Sequence, residues 1–73
     1  MIREIWLNWY VYQRDDNGNW HCRTNEMGYE DRLNLTYEEF KQEFENHVND
    51  EYFQKNCQGK LKDWEQALRE WGN

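Results

Sequence analysis

Five consecutive turn-forming residues, Asp15-Asp16-Asn17-Gly18-Asn19, separate two runs rich in aromatic and β-branched side chains. Asn and Gly take positive φ more readily than other residues, and an Asn-Gly step flanked by such runs is the strongest short-range hairpin signal. The preceding run reads as one strand over Ile5–Gln13, with Ile5, Leu7, Trp9 and Val11 alternating with Trp6, Asn8, Tyr10 and Tyr12. Trp20–Thr24 is the returning strand. Met27-Gly28-Tyr29 breaks it, and Arg32–Leu35 is a candidate third strand. A helix over Ile2–Tyr12 also fits a 3.6-residue period through Ile2, Ile5, Trp6, Trp9 and Tyr10. The β-rich composition and the turn that follows favour the strand.

The pattern changes at Thr36. Thr36 and Glu39 have capping-box spacing, in which hydroxyl and carboxylate each satisfy an orphan amide. Tyr37, Phe40, Phe44 and Val48 follow at helical spacing, predicting a helix over Tyr37–Val48 with one buried face. Asn49-Asp50 interrupts it, and Glu51–Cys57 is a candidate short helix ended by Gly59. Leu61, Trp64, Leu68 and Trp71 mark a C-terminal helix, with Gly72 a natural stop. The expected fold class is α+β: a small antiparallel β-hairpin or three-stranded sheet, followed by two to three α-helices packed on one face.

At 73 residues the chain is expected to be one compact domain, 1–73. A domain this small buries only about 60% of the surface its unfolded chain exposes, so it depends on large side chains, metals, disulfides or a partner. Five Trp, five Tyr and three Phe supply the large side chains. That content argues against disorder in spite of a mean hydropathy of −1.43. No apolar run approaches the roughly 20 residues that span a bilayer. No basic, apolar and small-residue leader pattern stands at the N-terminus, so a cytoplasmic location is expected.

The candidates for chemistry are few. His21, Cys22, His47 and Cys57 lack the close paired spacing of a structural zinc site, and adjacent strand residues such as His21 and Cys22 point to opposite faces. No metal, no cofactor and two free thiols are expected. Gly-rich phosphate loops, EF-hand ligand runs and nucleophile-elbow motifs are absent from the sequence. The expectation is therefore a binding protein, not an enzyme.

Two features point to binding. With Ile5, Leu7, Trp9 and Val11 facing the helices, Trp6, Tyr10 and Tyr12 share the opposite sheet face, joined by Trp20. Such clusters are typical of interface hot spots. The second feature is charge. The chain carries nine basic and fifteen acidic residues, a net of −6. Between Tyr37 and Glu51 stand Glu38, Glu39, Glu43, Glu45, Asp50 and Glu51 against one base, Lys41. Glu39 and Glu43 sit off the apolar stripe and read as a solvated face whose reversal would spare the fold.

An acidic surface repels nucleic acid and anionic membranes and suits a basic partner. The acidic row predicts partial mimicry of a nucleic-acid backbone, although duplex DNA carries its charge more densely, one per roughly 1.7 Å. In general character, short acidic aromatic-rich chains of this kind resemble phage-encoded inhibitors of host nucleic-acid enzymes, anti-restriction and anti-CRISPR proteins among them. No motif matches residue by residue, and no site carries over. The resemblance implies action in a host cytoplasm. The leading expectation is an inhibitor of a basic nucleic-acid-binding protein. The alternatives are an interaction subunit or homodimer using the aromatic face, and, behind both, a small enzyme or metal protein.

Overall fold

A computed structural model describes residues 1–7, 9–25 and 28–71. Its strands are β1 (Glu4–Trp6), β2 (Tyr10–Arg14), β3 (Trp20–Thr24) and β4 (Arg32–Leu35). They form one antiparallel sheet in the order β1-β2-β3-β4. Helices α1 (Tyr37–Val48), α2 (Glu51–Asn56) and α3 (Leu61–Arg69) follow, with a single 3-10 turn at Gln58–Lys60 leading into α3. The fold is α+β, with one more strand than the sequence pattern predicts.

The extra strand arises because Ile5–Gln13 is not continuous. The chain reverses after Trp6, and the Leu7 amide donates to the Tyr10 carbonyl at 2.8 Å. Ile5 then pairs with Tyr12, and Trp6 with Val11. Directly paired residues on antiparallel strands share a face. Tyr12 therefore joins Ile5 on the inner side, whereas a single strand would put the two on opposite sides. Cys22 pairs with Tyr12, and Trp20 with Arg14, extending the same face across β3. Tyr12 and Trp20 are 0% and 2% exposed. Both are core, which corrects their expected place on an open aromatic face. The same reversal puts Val11 in register with exposed Trp6, away from the helices, and leaves Trp9 on the turn.

The predicted turn forms as its chemistry requires. Gly18 has φ 86°, and the Asp15 carboxylate accepts from the Asn17 and Asn19 amides at 2.9 Å each. Between β3 and β4 the register shifts by one residue. Asn34 adopts φ 53° there, and its amide donates to Nδ1 of His21 at 3.0 Å.

Helix α1 begins at the predicted capping box. The Glu39 amide donates to Thr36 Oγ1 at 3.1 Å, and the Thr36 amide donates to Glu39 Oε1 at 2.9 Å. Asp50 caps α2, its Oδ2 accepting from the Phe53 amide at 3.3 Å. Gly59 lies within the 3-10 turn instead of beyond a helix end, while the predicted stop at Gly72 falls outside the described residues. Helix α3 ends at Arg69, two residues short of Trp71.

The core is aromatic. Phe40 of α1 and Trp64 of α3 are fully buried, with ring centroids 4.5 Å apart. Tyr12 meets Trp64 edge-on at 4.7 Å, and Trp20 lies 4.8 Å from Phe40. A buried ring removes about 150–250 Å² from water, worth roughly 4–6 kcal/mol before ordering costs. These four rings tie sheet and helices together. The chain's two ends also meet: the Ile2 amide donates to Glu70 Oε1 at 3.1 Å.

A candidate binding cleft

The early reversal of the chain does more than bury Tyr12. It sets the β1–β2 turn against the second half of α1 and the start of α2, and a cleft of about 460 Å³ opens between them. The turn contributes Leu7, Trp9 and Tyr10. Helix α1 contributes Glu43, Asn46 and His47, whose i, i+3, i+4 spacing places them on one face, and Asp50, the N-cap of α2, lines the cleft beyond them. Helix α2 adds Tyr52 and Phe53, and Cys57 follows it.

A polar bridge underlies the cleft. The Tyr12 hydroxyl lies 2.9 Å from Glu43 Oε2 and 2.7 Å from His47 Nε2. A hydroxyl has one proton and a carboxylate can only accept. Tyr12 thus donates to Glu43 and accepts from His47, whose Nε2 must carry a hydrogen. The other oxygen of Glu43 accepts from Arg32 of β4, which also reaches Glu39 at 3.4 Å. Arg32 arrives there because it pairs with Cys22 on the inner sheet face.

Burial governs the titration of this bridge. It pushes the Tyr12 hydroxyl far above its ordinary range, reinforced by neighbouring Cys22 and Glu43. It also holds the His47 imidazole below its ordinary value, outweighing the opposing pull of Glu43 and Asp50. His47 is accordingly neutral at pH 7, with Nδ1 left as an acceptor. Its ring is flanked by Tyr10, edge-on at 5.0 Å, and by Phe53 at 6.5 Å.

At the rim stand two large exposed rings, Trp9 at 54% and Tyr52 at 47% exposure. The lining residues include two carboxylates and no Lys or Arg. Asp50 has one oxygen on the Phe53 amide and forms no ion pair among the described residues. The cleft is thus an aromatic-edged, electronegative hollow with a neutral imidazole in its wall.

The residues singled out from sequence are dispersed over the molecule, with Tyr12 and Trp20 in the core. Tyr10, Glu43 and Asp50 line the cleft. Glu38 and Glu45 are exposed on α1, while Glu51 pairs with Lys55 at 2.8 Å. Trp6 lies on the outer sheet face, 55% exposed, its indole donating to Glu4 at 2.8 Å. Glu39 and Glu43 are not a purely solvated pair as expected: one completes the capping box, and Arg32 binds both. Trp9, His47 and Tyr52 were not placed in a site by sequence pattern. The one available signal in the sequence is the polar Asn8, itself outside the described residues, which interrupts the apolar run.

The four His and Cys residues stay apart in role. His21 donates to Asp15 at 2.8 Å and accepts from Asn34, Cys22 is buried in the core, and both cysteines are free thiols. Among the described residues, no three His, Cys, Asp or Glu side chains come together as a metal would need. No helix among them is long and apolar enough to cross a membrane. No protein-family model, curated protein or solved structure matches this chain.

Proposed function

We propose that the protein is a non-enzymatic binding protein whose target is a basic, nucleic-acid-binding protein, which it inhibits by occupying a surface meant for nucleic acid. The observation that carries this reading is the pairing of exposed Trp9 and Tyr52 with Glu43 and Asp50 around one cleft. Aromatic rings that remain exposed in a small core-limited domain are hot-spot material. Carboxylates beside them favour a cationic partner and steer its approach. Exposed Glu38 and Glu45 on α1 extend the negative surface beyond the cleft.

The test begins with capture of a partner from host lysate by the tagged protein. Glu38→Lys with Glu45→Lys should then weaken the complex about tenfold or more without unfolding, and native affinity should fall as salt rises. Partner-bound nucleic acid should be displaced. A captured partner that holds nucleic acid and this protein together, with salt-insensitive affinity, would eliminate the inhibitor reading.

Self-association is a second reading, favoured by Trp6 on the outer sheet face. Sedimentation of the wild type and Trp6→Ala tests it: a dimer that Trp6→Ala dissociates supports it, and a monomer at all concentrations removes it.

A further inference from the structure

We propose that the cleft between the β1–β2 turn and helices α1 and α2 is a receptor for a single arginine side chain presented by a protein partner. The proposal rests on the partner-binding reading and adds the chemical group that is recognised.

The walls select the ligand class. An anion is disfavoured, because the lining holds Glu43 and Asp50 and no basic side chain. An apolar side chain would displace water from the Asp50 carboxylate and the His47 imidazole without giving either a polar partner. A cation fits both the charge and the rings, since it is attracted to the faces of Trp and Tyr.

Among cations the cleft favours guanidinium over ammonium. It is open to solvent on the side of Trp9 and Tyr52, both about half exposed. A lysine ammonium is compact and strongly hydrated, and an open hollow cannot replace its water shell. Guanidinium is planar and weakly hydrated, stacks on aromatic faces, and donates in a fork that matches a carboxylate. Asp50 supplies that carboxylate. Its Oδ2 is committed to the Phe53 amide, and the charge is not cancelled by an ion pair among the described residues. Glu43 contributes less, since Arg32 already neutralises it. In the wall, His47 stays uncharged because burial disfavours its imidazolium form, while Tyr12 accepts its Nε2 hydrogen, so no positive group opposes the incoming one.

The experiment uses the intact protein and three capped tripeptides: acetyl-Gly-Arg-Gly-amide, its citrulline isostere and its lysine counterpart. Binding is followed by two-dimensional amide and indole NMR. The arginine peptide should give saturable shifts centred on Trp9, His47 and Tyr52, with a Kd of about 1–10 mM, as suits a single side chain. Citrulline has the same shape without the charge and should bind at least about tenfold more weakly; lysine should fall between. Trp9→Ala and Tyr52→Ala, both at exposed positions, should each weaken arginine binding about fivefold or more. Trp9→Phe and Tyr52→Phe keep a ring and should retain most of it. Asp50→Asn keeps an equally good helix cap while removing the charge, and should behave like the citrulline substitution.

Equal binding of citrulline or lysine, shifts centred elsewhere, or no saturable shift at tens of millimolar would each overturn the proposal. A captured partner bound undiminished by Trp9→Ala and Tyr52→Ala would overturn it too, leaving the broader binding function standing. Arginine-peptide binding by a chain that captures no partner would support the receptor and count against the inhibitor.

Discussion

Replacing Tyr12 by Phe removes one oxygen from beneath the cleft and strands two groups. Glu43 loses a donor at 2.9 Å and His47 loses its Nε2 acceptor at 2.7 Å, while the ring keeps its packing against Trp64 and Phe40. A hydrogen bond to a charged group is worth about 1.5–3 kcal/mol, and a buried unsatisfied donor costs about 1–3 kcal/mol. Partial relaxation of Glu43 onto Arg32 recovers some of this, so a net loss of ~2–3 kcal/mol is expected at pH 7. For a chain of this size that lowers Tm by roughly 8–24 °C. Urea unfolding should show the same loss as a lower midpoint with unchanged slope. A second signature separates lost bridging from lost packing. Without the hydroxyl, His47 and Glu43, 4.0 Å apart, face each other directly, so the His47 pKa should rise in NMR titration. Stability within about 0.5 kcal/mol of wild type, together with an unmoved His47 pKa, would refute the bridge as a structural element.

Three other outcomes follow from the same geometry. Because burial holds folded His47 below its unfolded value near 6.5, the unfolded chain takes up a proton the folded one resists. The stability contributed by neutral His47 is present above pH ~6.5 and falls as pH drops toward the folded value; denaturation at stepped pH should show this, and His47→Gln should flatten it. The lowered pKa values of Asp15 and Glu39, set by hydrogen bonds from the turn and from Thr36, act only at more acidic pH, near 4 and below. Glu43→Lys should cost ~2–3 kcal/mol by breaking contacts to both Tyr12 and half-exposed Arg32, whereas Glu45→Lys should stay within ~0.5 kcal/mol; equal values in chemical denaturation would contradict the partition of the acidic row. Thiol labelling should modify half-buried Cys57 well before Cys22, whose thiol is buried in the core and pushed up in pKa by that burial; comparable rates in native buffer would contradict the packing.

The features legible in the sequence are those written in local chemistry. Asn17-Gly18 announces a turn by its own backbone preference, and Thr36 with Glu39 announces a helix start by a contact three residues long. The spacing of Phe40, Phe44 and Val48 likewise marks the inner face of α1. The reversal after Trp6 was not legible. Alternation over Ile5–Tyr12 looks alike for one strand or for two joined by a tight turn, and the turn carries no Gly or Pro to announce it. That one event inverts the faces of Tyr10, Val11 and Tyr12 relative to Ile5, which is why Tyr12 is in the core and Trp9 at the rim. The solvated face expected of Glu39 and Glu43 differs from the structure for a related reason. Its counter-charge, Arg32, lies on β4, and only the sheet register brings it beneath Glu39 and Glu43. A site assembled from a turn and two helices leaves no single spacing in the chain that spans all its parts.

The order β1-β2-β3-β4 also bears on how quickly the molecule assembles. Every strand pairs with its neighbour in sequence, so each step of sheet formation closes only a short loop, and closure entropy grows with loop length. Folds dominated by such near-neighbour contacts reach the native state fastest. The sequence contains no proline, which removes the isomerisation that commonly adds a phase of tens of seconds to refolding. Hairpins formed on the microsecond scale would offer an apolar platform of Ile5, Tyr12 and Trp20, onto which Phe40 and Trp64 bring their helices. Refolding by stopped flow should then be a single fast exponential, and its temperature maximum would report how much aromatic surface the barrier state has already withdrawn from water.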